Sequence, residues 1–290
     1  MIKRVCIGIV VVVAFAGCQK WYQVPEPSYI EIDTYTTKVT PSQGTSNQNF
    51  TDMSVIANGT TYGIFPVGTK IPVLISGDAE FLIKGVIEVN GVSALRASYE
   101  VMKGCDSIIP VQLGKVTHIV PVFEYFSNTS FPWVLNFDGA FQQGPSLRPS
   151  CLCTTDTTVK LVTPGMGGGY CLKMAPNSVQ TTCEVQTDPT KPIYLPSGGV
   201  GVYMEFNYLC NVPMNISIQG IPAGGTPTAL TSCGGVYPSP VWAKTYIQLT
   251  EQVSTLQSGY YYIYLTALYD AVAGTNNYVY IDNIKIVVAE

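Results

Sequence analysis

Apolar and polar residues alternate along most of the chain from residue 28 onward. "YIEIDTY" from Tyr29, "MSVIANGTTYGIF" from Met53 and "FLIKGVIEVNGVSALRASYEV" from Phe81 place apolar side chains at close to every second position. That period lets a strand bury one face. Asn58-Gly59 and Asn90-Gly91 interrupt two of these runs. Both residue types accept the positive φ of a two-residue hairpin turn, so each pair predicts a hairpin. "KVTHIVPVFEYF" then alternates over Lys115 to Phe126. About seven strands in roughly 100 residues predict an immunoglobulin-like sandwich over residues 28–127.

"SNTSFPW" marks a change of domain, and residues 132–290 are long enough for a jelly-roll sandwich of eight or more strands. The expected fold class is therefore all-β, one sandwich after another. Alternation also separates the faces of individual strands. In "GVYMEFNYLC" Val202, Met204, Phe206 and Tyr208 read as core, leaving Tyr203, Glu205 and Asn207 outside. In "YYYIYLTAL" Tyr261, Ile263, Leu265 and Ala267 read as core, against Tyr260, Tyr262, Tyr264 and Thr266. "KTYIQLT" sets Lys244, Tyr246 and Gln248 against Thr245, Ile247 and Leu249.

The non-core sets combine into one expected face of tyrosines, amides and single charges: Tyr203, Glu205, Asn207, Tyr246, Tyr260, Tyr262 and Tyr264. Sugars present apolar C–H surfaces edged with hydroxyls, and flat phenol rings beside amides match both parts. Tyrosine also favours strands on its own account and suits surfaces where domains dock. Exposed tyrosines flanked by hydrogen-bonding groups would favour glycan binding; tyrosines covered by the other domain would favour an accessory subunit docked on an envelope complex.

Composition agrees with many short strands and tight turns. Charged residues make up 12% of the chain, beside 19 tyrosines, 27 glycines and 20 prolines. The net charge is −4, so no basic surface is expected to attract nucleic acid. The single histidine, His118, falls in the first domain, which leaves a Ser-His-Asp or Cys-His site in the second domain without its base. No catalytic residue is assigned, and no cofactor is required. Cysteines 151, 153, 171, 183, 210 and 233 fall in the second domain, enough for three bridges in an oxidising compartment. No C-x-x-C accompanies them, which argues against zinc.

The N-terminus is of a different kind. Lys3 and Arg4 precede a short apolar run that ends at Phe15-Ala16-Gly17-Cys18. The run is too short to span a bilayer, which takes about 20 residues. It has the charged start, apolar middle and small-residue end of a secretory signal. Phe15 to Cys18 resembles the lipobox of bacterial lipoproteins. The resemblance implies a signal peptide over 1–17, diacylglyceryl and further acyl (palmitate) chains on Cys18, a tether over 18–27, and attachment to the membrane by lipid.

"WVLNFDGAF", "GGGYCLKM", "VYMEFNYLC", "WAKTYIQLT" and "NYVYIDNIKIV" resemble, in order, the strands of galactose-binding-like, carbohydrate-binding-module jelly rolls. The resemblance implies a non-catalytic binding module. It also implies a structural calcium held by an acid on the first strand and another near the last, here Asp138 and Asp282. The arrangement as a whole resembles outer-membrane lipoproteins of Bacteroidetes. That implies the outer membrane, on its periplasmic face or at the cell surface. Asp106-Ser107-Ile108 and Asp156-Thr157-Thr158 resemble that group's O-glycosylation acceptor, which would modify Ser107 and Thr157.

Overall fold

The structure is a computed structural model that describes residues 26–139, 142–150 and 159–289. Cys18, Thr157, Cys151 and Cys153 lie outside the described residues. Among the described residues no helix is long and apolar enough to cross a membrane.

The first sandwich is built from β1 (Ser28–Glu31), β2 (Thr36–Lys38), β3 (Asp52–Ala57), β4 (Thr60–Pro66), β5 (Lys70–Val73), β6 (Gly77–Glu88), β7 (Arg96–Ser98), β8 (Met102–Lys103), β9 (Cys105–Val111), β10 (Val116–His118) and β11 (Val122–Tyr125). One sheet runs β4-β3-β6-β7, with β9 also paired to β6. Two short sheets, β10-β1-β5 and β2-β11-β8, complete the unit. Asn58 and Gly59 form the expected hairpin turn, both at positive φ, between Ala57 and Thr60.

The run from Lys115 to Phe126 does not form one strand. It breaks around Val120 and Pro121, and its halves pair in parallel with β1 and with β2 in different sheets. Proline carries no N–H for the ladder, so the chain changes sheets where a donor is missing. The core gathers Ile30, Val55, Phe81, Ile83 and Phe123, with Phe50 and Phe123 edge to face at 5.3 Å. Gly85 makes room for this packing, because a Cβ there would lie 2.6 Å from the Phe50 ring.

The second sandwich comprises β12 (Ser130–Leu135), β13 (Leu147–Pro149), β14 (Val159–Val162), β15 (Cys171–Met174), β16 (Thr182–Thr187), β17 (Ile193–Tyr194), β18 (Val202–Cys210), β19 (Met214–Ile221), β20 (Thr231–Val236), β21 (Ser239–Gln248), β22 (Tyr260–Leu268) and β23 (Val279–Val288). A short helix, α1 (Thr250–Leu256), links β21 to β22. The front sheet runs β14-β15-β23-β18-β21, with β12 on β23. The back sheet runs β13-β16-β22-β19-β20, with β17 on β22. Trp133, Met204, Phe206, Ile216, Ile263 and Ile286 are fully buried between them. The core side chains read from alternation in β18, β21 and β22 all lie there, except Tyr208, which is half-buried, and Thr245, which is buried outside the cluster.

No disulfide joins the described cysteines. Cys105, Cys171, Cys210 and Cys233 are free thiols; the last three and Cys183 are buried.

Candidate functional site: the two outer faces of the second sandwich

The expected tyrosine face is two faces. Alternation shows which residues of a strand point away from the core but not which sheet the strand joins. β18 and β21 belong to the front sheet and β22 to the back sheet, so their outward residues point in opposite directions.

The front set is closed to any ligand. Tyr203, Glu205, Asn207 and Tyr246 are each at most 3% exposed, because the first sandwich packs over them. Tyr203 and Tyr246 join its core cluster. Glu205 lies at the centre of the contact. Its Oε2 pairs with Lys244 Nζ at 2.6 Å and with Lys285 Nζ at 3.5 Å, while Tyr125 donates to Oε1 at 2.9 Å and Tyr99 donates to the same oxygen.

The first sandwich supplies the rest of the shell. Lys244 donates to the Asn47 carbonyl at 2.6 Å, and Lys285 to the carbonyls of Gln43 and Thr45 at 3.1 and 3.3 Å. Gln48 donates to Tyr125 and accepts from Tyr246. Burial by itself raises the Glu205 pKa. The charges of Lys244 and Lys285 and the donated hydrogen bonds outweigh it and hold the carboxyl at about 2. Burial pushes Lys285 down to about 8, against the pull of Glu205. Burial raises the Tyr99, Tyr125 and Tyr246 hydroxyls well above the ordinary range, so they act as neutral donors.

The second Asn-Gly turn works as a clip at the edge of this contact. Asn90 and Gly91 take positive φ after β6. Asn90 N then donates to the Tyr246 carbonyl at 2.8 Å, and its side chain accepts from Gln248 N at 2.8 Å.

The back set faces solvent, exposed at Tyr260 and half-buried at Tyr262 and Tyr264. Tyr260, Tyr262 and Tyr264 descend the central strand β22. Tyr260 is 49% exposed, and the 57% exposed Tyr194 meets it edge to face at 5.6 Å. Tyr262 donates to the Pro189 carbonyl at 2.8 Å and Tyr264 to Gln219 Oε1 at 3.0 Å, which fixes both rings. The register places Gln186 beside Tyr264 on one side and Gln219 beside Tyr262 on the other. The result is a strip of rings edged by amides.

Asp138 and Asp282, far apart in sequence, meet the same glycine-rich loop. Asp282 Oδ2 accepts from Met166 N at 2.9 Å, and Asp138 Oδ1 from Tyr170 N at 2.6 Å. Gly165 and Gly169 allow this approach, since a Cβ at either would run into the Asp282 or Asp138 carboxylate. Burial, with Asp138 adding its charge, pushes the Asp282 carboxyl up to about 7. Both carboxylates are thus held by backbone N–H groups of one loop.

His118 is exposed in the first sandwich and pairs with Asp33 at 2.8 Å. Ser107 is half-buried within β9. Alternation alone assigns no role to Lys285 or Gln48, although a lone lysine inside "NIKIVV" is itself a sign of a buried charge awaiting a partner.

No family model matches this sequence, and no curated protein matches it. Among solved structures, the family 11 carbohydrate-binding module of cellulase Lic26A-Cel5E from Clostridium thermocellum shares 13% identity over 55% of this chain and 95% of its own, with a TM-score of 0.37. A family 29 carbohydrate-binding module complexed with mannohexaose shares 12% over 56% and 93%, at 0.35. TmCBM61 in complex with β-1,4-galactotriose shares 12% over 49% and 86%, at 0.29.

Replacing Glu205 by alanine leaves two lysines buried without a counter-charge. Urea unfolding at pH 7 should show a loss of about 3–5 kcal/mol. The depressed carboxyl also sets an acid limit. Its stabilisation is complete above the unfolded pKa near 4.5 and is lost as pH falls through about 2. Unfolding midpoints measured from pH 6 down to pH 2 should therefore drop below about pH 4.5, and this component should be missing in Glu205→Ala.

Proposed function

We propose that this protein is a non-catalytic, lipid-anchored envelope protein whose second sandwich binds glycan through the back-sheet tyrosines. The observation that carries the reading is the open strip of Tyr194, Tyr260, Tyr262 and Tyr264. Its rings are immobilised by hydrogen bonds or by each other, and amides border it. Pre-set aromatic surface with polar edges meets a sugar ring without an ordering cost. A second reading, an accessory subunit docked on an envelope complex, is favoured by the front tyrosines Tyr203 and Tyr246, which the first sandwich covers.

In this proposal Cys18 carries the lipid and fixes the chain to the outer membrane, with the first sandwich as spacer between anchor and binding module. Asp138 and Asp282 would hold a structural calcium together with backbone oxygens of the 164–170 loop. That ion would supply positive charge to pin the loop. Ser107 and Thr157 are retained as O-glycosylation acceptors.

A glycan-array screen of the full chain should give neutral-glycan hits that vanish in the Tyr260→Ala, Tyr262→Ala, Tyr264→Ala variant. A folded protein that binds no glycan would remove the proposal. Calcium is expected to raise the melting temperature of the wild-type chain and EDTA to reverse the change, with no response in Asp282→Asn. Identical melting curves with calcium and with EDTA would dismiss the ion.

A further inference from the structure

The first sandwich covers only part of the front sheet. Beyond the buried network, the same outer face continues into an open groove of about 400 Å³, lined by Val162, Pro164, Lys173, Leu209, Trp242 and Tyr280. The register explains how one sheet carries both. On β21, Trp242 lies two residues from Lys244 and so shares its face; on β18, Leu209 lies two residues from Asn207. Tyr280 pairs with Leu209 on one side and with Lys173 on the other.

The groove's chemistry is specific. Trp242 and Tyr280 provide two aromatic surfaces, and Tyr278 lies against Tyr280 with ring centres 5.2 Å apart. Among the described residues neither the Trp242 N–H nor the Tyr280 hydroxyl has a hydrogen-bond partner, so both polar groups are free for a ligand. Lys173 places its ammonium 5.4 Å from the Tyr280 ring centre and pairs with no carboxylate among the described residues. No acid lines the groove. In a chain with 15 basic and 19 acidic residues, a groove lined by Lys173 and by no acid favours a negatively charged ligand.

We propose that this groove binds a carboxylated saccharide, such as a hexuronic acid unit. Its ring face lies against Trp242 and Tyr280, and its carboxylate lies against Lys173. Aromatic stacking takes the apolar C–H face of the sugar, and a charge-assisted hydrogen bond from Lys173 takes the carboxylate. A neutral sugar of the same shape keeps the stacking and loses the charge. The site lies on the sheet opposite the tyrosine strip and is tested separately from it.

Calorimetric titration of the full chain in detergent, at low salt, with tetragalacturonic acid and with its methyl ester tests this directly. The acid should bind at least about tenfold more tightly than the ester, the size of one charge-assisted hydrogen bond. Lys173→Gln, a half-exposed change that spares the core, should erase that difference. Trp242→Ala should abolish binding of both, and the Tyr260, Tyr262, Tyr264 triple-alanine variant should bind the acid as wild type does. Equal affinity for acid and ester, acid binding that survives Trp242→Ala, or no binding by a protein with wild-type unfolding behaviour would each overturn the proposal. Loss of neutral-glycan binding in the tyrosine variant alone would bear on the back sheet and leave this groove intact.

Discussion

One buried carboxylate organises the relation between the two halves of the chain. Glu205 sits fully buried on the outer face of a sheet, a position that a lone sandwich would leave to water. Desolvating it is costly, and so is desolvating Lys244 and Lys285 beside it. The cost is offset only because the three groups neutralise one another and the first sandwich completes their hydrogen bonds, with phenols from Tyr99 and Tyr125 and carbonyls from residues 43–47. Neither lysine can keep this partner set if the two sandwiches separate. The contact is therefore specific in register: a shift of one strand residue would bring core side chains to the joint and take Glu205 into the apolar interior.

This joint decides where a ligand can go. It removes Tyr203, Glu205, Asn207 and Tyr246 from the surface and closes the end of the front sheet nearest the first sandwich. Among the described residues, the back strip and the front groove both combine rings with hydrogen-bonding groups. The back strip is neutral, with the phenols of Tyr262 and Tyr264 already engaged. The front groove is concave and cationic, with free donors on its aromatic rings. The difference follows from neighbours: glutamines flank β22, whereas Lys173 pairs beside Tyr280.

Much of the fold was legible because it depends on local rules. Asn58-Gly59 closes the expected two-residue hairpin, whereas Asn90-Gly91 takes positive φ inside a longer β6–β7 connection; alternation picks out the core of β18 and β22 except for the half-buried Tyr208. What alternation cannot supply is sheet membership, which is set by pairing across distances such as Asn207 with Asp282. Pooling β22 with β18 and β21 was therefore a long-range error built from correct local readings. The break at Pro121 was visible as a missing donor inside an otherwise regular run. Trp242 shares its alternation class with Lys244 and Tyr246, so the same reading that marked Tyr246 would have marked it too.

Low charge content makes the placement of each charge informative. A β protein with many exposed ion pairs dilutes the meaning of any one, since surface pairs contribute little. Here 12% of residues are charged, and several sit where their cost is high. Glu205, Lys244 and Lys285 lie inside a joint, Asp282 is buried against a glycine loop, and Lys173 borders an aromatic groove without an acid. The first three satisfy one another, which accounts for them structurally. Asp282 and Lys173 are not neutralised by the protein in the same way, and these are the two charges that the proposed cation and the proposed anion would satisfy.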